Sequence, residues 1–166
     1  MNLPTIVSKY AGQGVLIDTN ILLLLFVGSL DRALIPTFKR TRQFVVEDYD
    51  TLTSFLDNFS ILRTTPNILT EVSNLAGQLG GRKEAFYRDV FTKLIQVLEE
   101  TYVESKIAIN KPVFPKVGLT DSAIICAAKG KYLLLTDDFS LSQRFQYLGG
   151  DAINFNHIRT KRWLVD

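Results

Sequence analysis

Three aspartates directly follow apolar runs, where an ionised side chain needs a compensating partner. Asp18 separates the apolar run 15–17 from the longer run 21–27, and Asp137 and Asp138 follow the run YLLLT. Leaving a carboxylate charged beside so much apolar sequence costs free energy unless hydrogen bonds or a cation offset it. These three positions are therefore candidates for a functional role.

Two further acids lie on predicted helices, at the border of the apolar face. Asp121 opens the segment LTDSAIICAAK and has isoleucines three and four residues after it. Glu71 lies one turn into the segment TPNILTEVSNL, three residues after Ile68 and four before Leu75. Side chains three and four residues apart share a helix face, so both carboxylates are expected beside packed surface.

Carboxylates gathered at one place favour a particular chemistry. Ligands of open parallel α/β sheets bind at the carboxyl ends of the strands, where Asp18, Asp137 and Asp138 are expected. Converging carboxylates repel one another, so some must be protonated or share a cation. Oxygen donors without His or Cys favour Mg²⁺ or Mn²⁺. Such an ion activates water and stabilises phosphoryl oxygens, which suits phosphodiester hydrolysis.

The elements that must position these acids alternate between strand and helix. Strands are predicted at residues 15–17, 61–64, 132–135 and 152–155. Helices are predicted at residues 20–27 with Gly28 as the stop, 30–43 with a kink near Pro36, 48–58, 66–79, 83–103, 119–129 and 141–147. Residues 107–117 are predicted as strand fragment and loop, and 158–166 as a basic tail. The alternation predicts an α/β domain with a parallel sheet covered on both faces.

Composition narrows the class of protein. The chain has 166 residues, of which 46% are hydrophobic and 22% charged, which predicts one globular domain over residues 1–166. A single cysteine excludes an internal disulfide and fits a reducing compartment. The run 21–27 is too short to cross a membrane, which needs about 20 apolar residues. No targeting segment opens the sequence, so a cytoplasmic protein without membrane contact is expected.

Over residues 14–157 the sequence resembles the PIN domain family. The resemblance is carried by VLIDTN, by LTEV around Glu71, and by GLTDSAIICAAKGKYLLLTDD, which ends in a Thr-x-Asp pattern. It implies a three-layer α/β/α sandwich with a central, mainly parallel sheet. It also implies a Mg²⁺- or Mn²⁺-dependent endoribonuclease that cleaves RNA and forms a homodimer. Many prokaryotic members are toxins held by an antitoxin protein.

The resemblance also implies roles for individual side chains. The implied catalytic residues are Asp18, Glu71, Asp121 and Asp138. The implied metal ligands are Asp18, Asp121 and Asp138, with Asp137 as the weaker choice beside Asp138. Asn20 and Thr136 match positions that orient the acids by hydrogen bonds.

Basic residues provide candidate contacts to RNA phosphates. Lys39, Arg40 and Arg42 form the densest cluster, and a nuclease needs phosphate contacts for sequence-independent affinity. The alternative is a solvated helix end. The surrounding segment 28–60 is longer and more polar than the corresponding segment of compact PIN toxins. It could form a substrate clip, a dimer contact or an antitoxin groove.

Other interpretations of the acids remain open. Asp121 could favour a helix N-terminus, Glu71 could be a surface residue, and Asp137 and Asp138 could be turn and cap residues. A PIN-like fold could then serve as a non-catalytic scaffold for RNA or protein. A phosphatase that forms an aspartyl-phosphate is a third possibility, but it would usually carry a second aspartate where Asn20 stands.

Overall fold

A five-stranded, all-parallel sheet organises the chain, in a computed structural model that describes residues 2–162. The strand order is β3-β2-β1-β4-β5. The strands are β1 Val15–Ile17, β2 Leu62–Thr64, β3 Glu99–Glu100, β4 Leu133–Thr136 and β5 Ala152–Asn154. Parallel neighbours need crossover connections, and helices supply them on both faces of the sheet. The predicted α/β class and three-layer sandwich are confirmed.

Ten α-helices and a π-helix surround this sheet within the described part of the chain. The α-helices are α1 Leu3–Tyr10, α2 Thr19–Leu30, α3 Val46–Leu56, α4 Pro66–Ala76, α5 Lys83–Ala85, α6 Thr92–Ile95, α7 Ser105–Ile109, α8 Phe114–Ala128, α9 Phe139–Tyr147 and α10 Phe155–Arg162. The π-helix Phe86–Phe91 lies between α5 and α6. None of the helices described over residues 2–162 is long and apolar enough to cross a membrane.

The core is built around β1 and α2. Every residue of β1 is fully buried, as expected for a central strand between two helical layers. Residues 21–28 of α2 are also buried, because α3, α4 and the π-helix all pack against this helix. The continuous apolar run 21–27 therefore forms a part of a core helix that has no solvent face.

The sequence predicted that helix α2 stops at Gly28. This is wrong, because the helix continues to Leu30. A β-carbon at position 28 would lie 2.1 Å from Cδ2 of Tyr49, on helix α3. Gly28 therefore allows two helices to approach closely. The predicted helix 30–43 is also wrong, because a 3₁₀ turn at Arg32–Leu34 is followed by further turns.

The predicted helix 83–103 is replaced by shorter elements. In the π-helix, residues five apart lie close together on one side, and the rings of Phe86 and Phe91 both pack on Phe26, at centroid distances of 6.2 and 5.7 Å. The chain then turns and forms the edge strand β3, whose two glutamates are exposed. The periodicity of 3.6 residues anticipated neither the π-helix nor this strand.

Three other segments differ from the prediction. Residues 107–117 are mainly helical, in α7 and the start of α8. Helix α1 was not anticipated, and the predicted tail 158–166 continues α10 as far as Arg162. Trp163, which the sequence placed in that tail, lies outside the described residues. Arg159 forms an ion pair with the buried Asp48 at 2.6 Å, so its charge ties α10 to α3.

Gly28→Ala is expected to lower the free energy of unfolding by about 1–3 kcal/mol, because the new β-carbon would overlap the Tyr49 ring. Urea unfolding measures this loss. Gly12→Ala is the matched control, since nothing lies within 4 Å of a β-carbon built there. If Gly28 acted only as a helix stop, both variants would be close to neutral.

Candidate active site

At the carboxyl ends of β1 and β4, the side chain of Asp18 contacts the hydroxyl group of Thr136. Ile17 pairs with Leu135, so Asp18 and Thr136 follow side by side. The Thr136 hydroxyl donates to Asp18 Oδ2 at 2.6 Å, and the Thr19 backbone N–H donates to Oδ1 at 2.7 Å. Asp18 is 7% exposed and also caps α2. Neutral donors thus hold this buried carboxylate.

Glu71 is fixed between two other helices. Thr19 Oγ1 at the start of α2 donates to Glu71 Oε2 at 2.9 Å, and Thr120 Oγ1 on α8 donates to Oε1 at 2.5 Å. Glu71 itself lies on α4, which begins at Pro66 after the cap residue Thr65. Both hydroxyls were missed by the sequence interpretation. The available signal was that each threonine is the chain neighbour of a candidate aspartate.

A break in α8 places Asp121. Gly118 has a φ of +79°, a conformation that favours glycine, and the helix restarts immediately after it. Asp121 therefore lies in the first turn of a new helical segment, as the sequence predicted. Burial raises the pKa of Asp121 to about 6, with further increases from the charges of Asp138 and Glu71. Arg144 opposes this shift.

Asp137 and Asp138, the pair after β4, have different surroundings. Asp138 is exposed and caps α9, where Leu141 N–H donates to its Oδ1 at 3.0 Å. Asp137 is half-buried and accepts a hydrogen bond from Asn20 Nδ2 at 3.2 Å. Burial raises the pKa of Asp137. The predicted orienting residues thus do contact acids, with Thr136 bound to Asp18 and Asn20 bound to Asp137.

The acids of this edge lie within one another's electrostatic field. Burial raises the pKa of Asp18 to about 7, against the hydrogen bonds from Thr136 and Thr19. The charges of Asp121 and Asp137 raise it further. Burial and neighbouring negative charges thus increase the proton affinity of Asp18. A bound cation would supply positive charge in place of the proton.

The carboxylate oxygens are the kind of ligand that a hard cation prefers, but they do not form a complete ligand set around one ion. Within residues 2–162, no three acidic, histidine or cysteine side chains converge as the ligands of one ion. Mg²⁺ is commonly held by only one or two carboxylates, with waters and substrate phosphates as the other ligands. Carboxylates at the edge of this sheet fit that open mode of binding.

A surface cavity of about 320 Å³ gives access to Glu71. It is lined by Pro66, Asn67, Thr70, Glu71 and Thr120. The cavity joins the start of α4 to the first turn after the Gly118 break. A ligand in it would contact the Glu71 carboxylate and neutral polar side chains.

The predicted basic cluster is not joined to the acids by any contact among the described residues. Lys39 and Arg42 are exposed, and Arg40 Nε donates to Gln78 Oε1 at 3.0 Å beyond the end of α4. Among the described basic side chains, Arg159 on α10 acts on the pKa of Asp137, and the one that acts on Asp121 is Arg144, on α9. The sequence interpretation missed it because a single arginine in an amphipathic helix carries no spacing signal.

Comparison of this chain with models of known protein families and with curated proteins finds no match. The resemblance to the PIN domain family therefore stays a prediction, based on the motifs and on the acids that the fold gathers.

In metal-free buffer, Asp18 is expected to make the protein less stable as the pH rises. Its pKa is raised from 3.8 to about 7, so the folded protein keeps a proton that the unfolded chain releases in this interval. Asp18→Asn removes this titration. Relative to wild type, its free energy of unfolding should therefore increase by on the order of 2 kcal/mol or more between about pH 4 and about pH 8.

Urea unfolding in EDTA across this pH range measures the difference. Asp57→Asn, at an exposed position on the end of α3, should keep the wild-type profile. If the free energies of unfolding of Asp18→Asn and wild type changed with pH in parallel, the Asp18 carboxyl group would not be the source of the pH dependence.

Proposed function

We propose that the protein is a Mg²⁺- or Mn²⁺-dependent ribonuclease of the PIN type that hydrolyses RNA phosphodiester bonds. The observation that carries the proposal is that threonine hydroxyls fix Asp18 and Glu71 near the carboxyl end of β1, with Asp121 in the electrostatic field of both. Three helices meet there through threonine hydroxyls, and the pKa values of Asp18 and Asp121 are both raised. This is the environment in which a divalent cation replaces protons.

Asp18, Asp121 and Asp138 would hold one or two ions, directly or through water, with Asp137 as the alternative to Asp138. When bound, the ion supplies an activated water and stabilises negative charge on the phosphoryl oxygens. Thr136 keeps the Asp18 carboxylate directed by a 2.6 Å hydrogen bond, and Asn20 does the same for Asp137. Outer partners of this kind commonly fix ligand orientation.

Glu71 is proposed to position the attacking water. Both of its oxygens accept hydrogen bonds from threonines, so the carboxylate is held in place beside the 320 Å³ cavity. Water forms the new P–O bond and its proton passes to a carboxylate, while the P–O3′ bond breaks and O3′ takes a proton from solvent. The products are a 5′-phosphate and a 3′-hydroxyl.

One observation favours a second candidate, the non-catalytic scaffold. Asp18 caps α2 and Asp138 caps α9, so two of the four proposed catalytic acids already have structural tasks. A scaffold would bind RNA or protein without needing a divalent ion. The partners and setting implied by the resemblance, an antitoxin protein, a second copy of the chain and the cytoplasm, also stay predictions.

Wild-type protein is expected to cleave RNA in Mg²⁺ or Mn²⁺ and not in EDTA. Matched single-stranded and structured RNAs, and a DNA of the same sequence, serve as substrates in a gel assay. Asp18→Asn and Asp121→Asn should each lose at least about 100-fold in rate, more than the loss of an outer partner. Asp57→Asn is the control and should retain activity.

Thermal unfolding separates the two candidates. For a nuclease, Mn²⁺ should raise the melting temperature of wild type and of Asp57→Asn, and not that of Asp121→Asn. No cleavage of any substrate, together with no such shift, would favour the scaffold and contradict the nuclease.

Thr120→Val should lower the cleavage rate by about 10- to 100-fold, because Glu71 loses the hydroxyl that fixes Oε1. Thr120→Ser keeps the donor and should retain most of the rate. Single-turnover cleavage measures both variants, with circular dichroism to show that they are folded. Equal rates for the two variants would mean that the Glu71–Thr120 bond does not contribute to the reaction.

A further inference from the structure

Helix α9 presents two large aromatic side chains to solvent, immediately after a candidate acid. Phe139 follows Asp138 directly and is 57% exposed, and Tyr147 is 90% exposed. Gln143, also exposed, lies between them at a spacing of four residues on either side. Residues four apart are neighbours on a helix surface, so these three form a stripe, which we call the α9 stripe. It extends for about 12 Å along the helix axis.

Two surface cavities adjoin the stripe and share two lining residues. One of about 330 Å³ contains Phe139 and reaches Asn154 and His157, and another of about 560 Å³ contains Tyr147. Gln143 lines both cavities, as does Gln146. The surface around the rings thus combines apolar faces with amide groups.

The charge of this surface is favourable to a polyanion. Helix α9 contains no acidic residue, and its one cation, Arg144, lines the larger cavity. Arg144 Nε is buried without a hydrogen-bond partner among the described residues, although its guanidinium reaches the field of Asp121. Arg144 as a whole is half-buried and lines this cavity, so it can supply positive charge to a ligand that lies across α9.

We propose that the α9 stripe is a stacking platform for unpaired bases of a single-stranded RNA, with Arg144 as its phosphate contact. This inference rests on the proposed nuclease function and assigns its substrate class. Sites for single strands combine aromatic side chains, on which bases stack, with cations that follow the backbone. Since Phe139 adjoins Asp138, a strand bound here would reach that candidate acid.

Direct binding tests the platform without cleavage. Fluorescence anisotropy with a labelled eight-residue oligouridylate measures affinity, in EDTA and separately in Ca²⁺. A ribose-phosphate strand of equal length without bases is the ligand control. Phe139→Leu and Tyr147→Leu keep apolar bulk and remove the ring, whereas Phe139→Tyr and Tyr147→Phe keep the ring.

Each leucine variant should weaken oligouridylate binding by about 5- to 100-fold, the range for loss of one stacked base. The ring-preserving variants should bind like wild type. The strand without bases should bind equally weakly to all of these proteins. Arg144→Gln should weaken both ligands, because it removes a contact to phosphate.

Three outcomes would overturn the proposal. Leucine variants that bind as tightly as wild type, or wild type that does not prefer the strand with bases, would exclude stacking on α9. A wild-type dimer that Tyr147→Asp converts to a monomer in sedimentation would assign the stripe to a second copy of the chain. Failure of the nuclease proposal is distinguished by its own result, RNA binding without metal-dependent cleavage.

Discussion

The hydrogen bond between Thr136 and Asp18 joins the ends of the two central strands, and much of the site depends on it. The Thr136 hydroxyl donates to the buried Asp18 carboxylate and also accepts a hydrogen bond from the backbone N–H of Asp138. One oxygen atom thereby links the end of β1, the end of β4 and the start of α9. Because Asp18 is almost completely desolvated, loss of this donor would leave a buried acceptor unsatisfied.

Threonines dominate the contacts among the acids, with consequences for how the site responds to a ligand. Hydroxyl groups are neutral and can rotate, so they satisfy a carboxylate without neutralising its charge. The carboxyl groups therefore keep their charge when ionised, while Thr19, Thr120 and Thr136 hold their geometry. Lysine or arginine in these places would have produced closed ion pairs.

The sequence was sufficient for the α/β class and for four of the five strands, because these depend on local signals. Short apolar runs ending in Asp18 and Asp137 marked central parallel strands. Long-range packing decided the errors: Gly28 responds to Tyr49 on another helix, and the π-helix serves the Phe26 ring. The partners of Glu71 come from positions 19 and 120, a pairing that no periodicity within one helix can reveal.

The edge strand β3 has a consequence for association between molecules. It has only two residues, both glutamates and both exposed, on an open side of the sheet. Short, charged edges discourage strand addition, since a neighbouring chain would have to pair its backbone beside like charges. Growth of the sheet from molecule to molecule is thereby disfavoured on this side, which lowers the tendency of this edge to aggregate.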